Sequence, residues 1–345
     1  MGGLQRIHDH PAQIQEMMKR GFILLLCMAL GKSTFAQQEA QFSQYMFNGI
    51  YINPAYAGYK EELYLHAFYR AQWTGIEGAP RSFSVSADNI ANEGNVGWGI
   101  QAVADKLGAQ TNQSLYASYA YRIRMNEDGT ARLAFGISGG LVNLAVNTSQ
   151  LTTTNPEDDM PVGTLATTVP DARAGVFYAD DRFYAGFSVD NLVAPHVNKS
   201  KYVYIPTPRP HYYITAGAMF RLNEQLSLKP SFLLKDDRGG PTSLDVNAFL
   251  LISEKLWIGG SYRTSVSLYD KAYLQKTLTS RDAAVAAIEV FPMPTLRIGY
   301  AYDFSIGPLQ SYSNGSHEIS IGFTIPTNRD HVNLRKLGIS CPKVF

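Results

Sequence analysis

The chain has 345 residues, a net charge of +1 and no basic stripe, which excludes nucleic acid as an electrostatic partner. Twenty-one Tyr and 29 Gly occur with no long apolar run after residue 36, a combination explained by the aromatic girdles and small lumen residues of a membrane barrel. Only Cys27 and Cys341 are present, so there is no Cys-based zinc site.

The N-terminus reads as an export address. Lys19-Arg20 precede the apolar stretch Gly21–Leu30, and Thr34-Phe35-Ala36 ends in small residues suited to cleavage. The apolar run is too short for a stable membrane span. We expect residues 1–36 to be a signal peptide, with Met17 or Met18 the true start and the mature chain opening near Gln37, which leaves Cys341 without an intramolecular partner. The residues before Cys27, Leu24-Leu25-Leu26, are not the small ones a lipoprotein acceptor wants.

Next comes QFSQYMFNGIYINPAYAG, Gln41 to Gly58, which is aromatic, uncharged and not cleanly alternating. Asn53-Pro54 suits a helix N-cap and first position, or the start of a turn. An apolar stretch outside a membrane must bury itself, either in the lumen of its own barrel or in a partner. The first reading makes residues 37–62 a lumenal plug, with Phe42, Tyr45, Met46, Phe47, Asn53, Pro54 and Tyr56 as its anchors.

From residue 63 to 326 the pattern has period two, the mark of β-strands. Tyr212–Leu222 and Leu226–Lys235, joined by Asn223-Glu224-Gln225, show the repeating hairpin. Each arm is about as long as a tilted strand needs to cross a bilayer. The spacing predicts fourteen strands, an even number as such barrels prefer, beginning near 63, 80, 95, 112, 131, 172, 183, 211, 226, 242, 255, 282, 295 and 316. The connections alternate. Asn126–Gly129, Asp180–Arg182, Ser253-Glu254 and Pro292–Pro294 are short, whereas Thr148–Asp171, Val193–Pro210, Thr264–Arg281 and Ser305–Gly315 are long. A soluble β-sandwich has no reason to keep that rhythm; an outer-membrane barrel does. The expected fold is therefore all-β: a transmembrane antiparallel β-barrel over residues 63–326, its short turns and both termini periplasmic. Only closed barrels and helices satisfy the backbone inside lipid.

A basic residue on the lipid face costs about 2–4 kcal/mol at mid-membrane, so the parity that carries charge must face the lumen. That parity holds Arg70, Asp88, Gln101, Arg122, Arg173, Asp190, Arg221, Lys229, Asp245, Arg263, Glu289, Arg297, Asp303 and Glu318. Mixed signs predict a cross-linked, largely closed lumen; a water-filled pore with solvated charges is the alternative. Trp73, Trp98 and Trp257 read as interface anchors. The tail, residues 327–345, is either a periplasmic contact or a disordered end.

Little chemistry emerges. Ser316, His317 and Glu318 cannot form a nucleophile–base pair, because strand neighbours point to opposite faces. Asp180-Asp181 reads as a turn, and Glu157-Asp158-Asp159 could hold a cation in a long loop. His196, His211 and His331 lack metal spacing. We expect no enzyme activity and no cofactor.

The stretch Gln41–Gly58, with Arg70-Ala71-Gln72-Trp73-Thr74-Gly75 after it, resembles the PorP/SprF family of type IX secretion membrane proteins. Ala134-Phe135-Gly136, Gly186-Phe187-Ser188, Lys229-Pro230-Ser231, Gly260–Arg263, Ile298–Asp303 and Gly315–Ile319 extend the resemblance over about residues 38–326; Glu39-Ala40 departs from the Asp-Pro the family often carries. The resemblance implies an outer-membrane component, either of the core machinery or dedicated to secreting and surface-anchoring one large adhesin, with a possible link to gliding motility. Its implied partners are outer-membrane lipid, a secreted adhesin with a C-terminal sorting domain, and a periplasmic or peptidoglycan-binding component. On that reading Tyr202, Tyr204, Ile205 and Pro206 form a cargo-facing loop. The alternative is a channel for small solutes.

Overall fold

The computed structural model describes residues 41–151, 162–197, 205, 208–271 and 281–326. The expected signal peptide, the C-terminal tail and the acidic trio Glu157-Asp158-Asp159 lie outside the described residues. The unit Gln37–Phe345 is a closed antiparallel β-barrel of fourteen strands.

In chain order the strands are β1 (Leu63–Ala71), β2 (Arg81–Ala91), β3 (Val96–Leu107), β4 (Gln110–Arg124), β5 (Arg132–Asn147), β6 (Thr164–Ala179) and β7 (Phe183–Asp190). There follow β8 (His211–Ala218, resumed at Phe220–Arg221), β9 (Leu226–Asp236), β10 (Thr242–Ile252), β11 (Leu256–Val266), β12 (Arg281–Met293), β13 (Leu296–Ser305) and β14 (Ser316–Ile325). The break in β8 falls at Met219 and costs no register, since Gly217 pairs Ser231 and Arg221 pairs Ser227. Each strand pairs with the next, and β14 pairs with β1 from Leu63↔Ile325 to Ala71↔His317, closing the sheet on itself.

Burial alternates along the wall. Phe83, Ile137, Leu141, Ile298, Ile319 and Ile321 stand exposed on the outside, whereas Ser84, Ser138, Ser320 and Glu318 are buried inside. Outward aromatics gather near both ends: Trp98, Tyr121, Phe183, Phe220 and Phe323 by the short turns, Tyr69, Phe83, Tyr262 and Phe304 by the long loops. Two such girdles around an apolar belt are the lipid-facing surface of an outer-membrane barrel. None of the described helices is long and apolar enough to cross a membrane.

The short turns are locally encoded. Ser253 and Glu254 both have positive φ (50° and 55°), the conformation a two-residue hairpin needs to match strand twist. Asp180 Oδ1 accepts the amides of Arg182 and Phe183 at 2.7 and 2.8 Å, closing the turn after β6.

Two differences from the sequence reading have clear causes. β6 begins at Thr164 rather than near 172, because Thr164–Asp171 continues the ladder against Gly140–Asn147. Pro170 is tolerated there because β7 pairs only with Ala174–Ala179, so that stretch of β6 is an edge and needs no donor on its free side. Trp257 is not an interface anchor: it is fully buried inside the barrel, its ring 6.0 Å from that of Phe47.

Placing a guanidinium in mid-belt should isolate the lipid-facing term. Ile321→Arg is expected to lower folding stability in lipid vesicles by about 2–4 kcal/mol, read by urea titration, while the apolar swap Ile321→Leu stays near wild type.

Candidate functional site: the lumen and its two rims

Residues 42–60 are buried among the inward-facing side chains of the wall, Gly49 and Tyr51 only partly. They form three 3₁₀ turns, Tyr45–Phe47, Gly49–Tyr51 and Pro54–Tyr56, rather than an α-helix. Short 3₁₀ pieces leave many amides and carbonyls without a local partner, and the wall supplies partners for them.

Near the long-loop end, Glu318 takes two adjacent backbone amides, Ser43 N at 2.7 Å on Oε2 and Gln44 N at 2.8 Å on Oε1. Arg70 donates to the same carboxylate at 3.1 Å, to Asp303 at 2.6 Å and to Ser43 Oγ at 2.8 Å. Arg263 reaches Asp245 at 3.0 and 3.2 Å and Asp303 at 3.3 Å. Ser43 Oγ donates to Asp303 at 2.8 Å, so one hydroxyl joins the strand charges into a single cluster.

Halfway along, Asn48 Nδ2 donates to Ser86 Oγ at 2.9 Å, and Asn247 Nδ2 donates to Tyr45 Oη at 2.6 Å. Asn53 caps its own turn, accepting from Ala55 N at 2.9 Å, while its Nδ2 donates to the Val176 carbonyl at 2.9 Å. Ser188 Oγ donates to the Ile52 carbonyl at 2.7 Å.

Near the short-turn end, Asp88 accepts Gly58 N at 2.9 Å and Arg122 donates to Gly58 O at 2.8 Å. Glu61 pairs with Arg122 and Arg132 at 3.4 and 3.0 Å. Lys60 and Lys229 donate to the carbonyls of Phe47 and Met46 at 3.2 and 3.4 Å. Two wall glycines give the backbone room. A Cβ on Gly97 would overlap the Ala57 carbonyl, and one on Gly136 would overlap the backbone of Pro54-Ala55.

The anchors Phe42, Tyr45, Met46, Phe47, Asn53, Pro54 and Tyr56 are all buried in this arrangement. Phe42 stacks on Phe68 at 4.9 Å, Phe47 meets Phe249 edge-on at 5.6 Å and Tyr56 meets Phe177 at 5.4 Å. Of the inward-parity charges, Arg173 and Asp190 pair at 3.4 Å, with Arg173 also over the Tyr116 ring at 3.8 Å, and Arg297 lies 3.8 Å from Glu289. The charges thus fall into separate groups around the segment. Arg221 needs correcting: it keeps the inward parity but pairs at the last rung before the Asn223 turn, where the lumen opens, and is exposed.

Sequence reasoning missed Ser43, Gln44, Lys60, Glu61 and Arg132. Polar residues embedded in an otherwise apolar stretch, Ser43-Gln44 and Asn48, were the available signal.

At the long-loop rim, Ile205 turns inward and packs with Ala194, Tyr116, Val142, Leu144, Val146 and Val169. Tyr202, Tyr204 and Pro206 lie outside the described residues. Asp171 holds the start of the short helix Ala194–Val197, accepting Val193 N at 3.0 Å and Ala194 N at 2.9 Å. His317 faces outward and bonds Tyr300 Oη at 2.7 Å, on the face opposite Glu318. At the short-turn rim, partial burial raises the pKa of Asp180, but the Arg182 and Phe183 amides and the Tyr178 hydroxyl overcome it and hold the carboxyl below its usual value.

Truncating Arg70 to Ala leaves Asp303 and Glu318 buried with less compensation. Broken buried pairs cost about 3–5 kcal/mol, and a fall of that size is expected in urea titrations of the refolded barrel.

The solved structures similar in fold include a Pseudomonas aeruginosa FadL homologue (12% identity, 85% of this chain and 96% of that one, TM-score 0.44). Others are Omp33 of Acinetobacter baumannii (6%, 77% and 98%, 0.45) and the Ralstonia pickettii toluene transporter TbuX (9%, 81% and 93%, 0.45). No curated protein matches the sequence. The family profile described as "Type IX secretion system membrane protein PorP/SprF" matches residues 34–323, nearly the whole barrel and the segment inside it, and the chain belongs to that family.

Proposed function

We propose that this outer-membrane barrel works through its rims and not as a conduit. In this reading residues 37–62 act as a plug, and the long-loop rim supports secretion and surface anchoring of a large adhesin or similar cargo carrying a C-terminal sorting domain. The short-turn rim meets the periplasmic part of the secretion machinery. A role in gliding motility follows where the cargo is a motility adhesin.

The observation that carries the reading is the commitment of the inward charges to the chain's own residues 43–61. Glu318, Arg70, Asp88, Arg122 and Lys229 spend hydrogen bonds on that segment. A solute pathway needs such groups to face water. Family membership supplies the secretion context.

Two measurements test it. Purified wild-type protein in planar bilayers is expected to carry no steady current, while Gly136→Val, which crowds Pro54-Ala55 out of its seat, is expected to produce openings. A steady wild-type current favours the small-solute channel instead. For cargo support, Tyr202→Ala with Tyr204→Ala is expected to leave the barrel folded and in the outer membrane but to reduce adhesin on intact cells; unchanged display refutes that role for the loop.

A further inference from the structure

We infer that a pocket on the outer face of the barrel, at the long-loop ends of β8 and β9, binds a phosphate monoester carried by the headgroup of a lipid in the adjoining leaflet. The pocket is lined by Arg209, Tyr212, Asp236, Arg238 and Tyr269. The inference rests on neither the plug nor the cargo.

Strand parity places the pocket. Tyr212 and Asp236 are cross-strand partners, so their side chains share a face. Tyr212 continues the parity of Ile214, and Asp236 that of Phe232; Ile214 and Phe232 are exposed toward lipid. The pocket therefore begins where the apolar belt ends on these two strands. Its remaining walls come from three connections on the same rim. Arg209 lies two residues before β8, Arg238 between β9 and β10, and Tyr269 between β11 and β12. Lipid headgroups occupy this level, just outside the hydrocarbon, and tyrosines favour it.

The charge in the pocket is positive and unspent. Among the described residues neither Arg209 nor Arg238 forms an ion pair. Arg238 lies over the Tyr212 ring at 4.8 Å, a contact that leaves its charge unneutralised. The carboxylate in the lining is already matched. Asp236 Oδ1 accepts Lys271 Nζ and Arg238 N, both at 2.7 Å, and Oδ2 accepts Tyr269 Oη at 2.8 Å. Asp237 turns to its own loop, where Oδ1 accepts Gly239 N at 2.8 Å and Gly240 N at 2.7 Å. Arg238 also holds φ at 56°, a left-handed conformation that a side chain adopts at a cost, although Gly239 and Gly240 stand next in the chain. An exposed Arg kept in that place is positioned for its charge.

Guanidinium forks match phosphate oxygens, and two of them suit the double charge of a monoester better than the single charge of a diester. Leu268, next to Tyr269, is 58% exposed, apolar surface that suits a lipid neighbour and not a free ion.

The test uses the full chain refolded in detergent micelles. Phosphatidic acid, phosphatidylglycerol or inorganic phosphate is added, and retained ligand is counted by native mass spectrometry. Wild type is expected to retain phosphatidic acid about tenfold better than phosphatidylglycerol, and Arg209→Gln with Arg238→Gln is expected to lose that preference. Arg81→Gln with Lys106→Gln removes two exposed basic residues paired across β2 and β3 on the same rim, and is expected to keep it. No preference in wild type, or an equal loss in the Arg81/Lys106 control, overturns the inference. Inorganic phosphate bound by wild type but not by the Arg209/Arg238 variant, with phosphatidic acid not retained, assigns the pocket to a soluble phosphate and overturns the lipid. Folding of each variant is checked by its heat-dependent shift in gel mobility; if the double variant fails to fold, Arg238→Gln alone carries the same comparison.

Discussion

Inside the long-loop end of the lumen, a single carboxylate grips two consecutive backbone amides. Glu318 accepts Ser43 N and Gln44 N while Arg70 holds its charge. The segment it grips has little regular structure of its own, so most of its peptide groups must be paired by something else or left unpaired at a cost of about 1–3 kcal/mol each. The wall answers with charges and hydroxyls in sequence along the lumen: Glu318, Ser188, Asp88 and Arg122 each meet a main-chain group. The burial of charge in the wall and the irregularity of the segment are therefore one problem with one solution.

Glycines at some inward positions of the wall let the segment lie close against it. Gly97 and Gly136 touch main chain, so they set how close residues 54–57 lie to the sheet. Gly136 belongs to one of the motifs that carry the family resemblance, and its seat on Pro54-Ala55 ties that strand motif to the N-terminal one.

Beyond the lipid belt the polarity of the wall inverts. In the projecting part of β5 and β6 the outward residues include Asn143, Asn147, Thr164 and Thr168, with Asn143 bonding Thr168 at 2.8 Å, and the inward ones are Val142, Leu144, Val146 and Val169. Water lies on the outside there, so the apolar face turns inward and is covered by Ala194 and Ile205. Ala194 and Ile205 are thus tied to the lumen by packing.

The sequence by itself determined the strand number, the alternation of short and long connections, and which parity faces lipid. Those follow from period-two burial and from the cost of charge in hydrocarbon, both of which act residue by residue. Aromatics such as Phe42, Phe47 and Tyr56 also announced a segment needing cover, because their lack of alternation ruled out a strand. Only the tertiary structure decided which wall groups meet which amides, that Trp257 faces inward, and that Arg221 stands at an opening. Each of those depends on strand tilt and on contacts between residues up to 276 positions apart, as Gln44 and Ser320 are, and no local pattern carries that information.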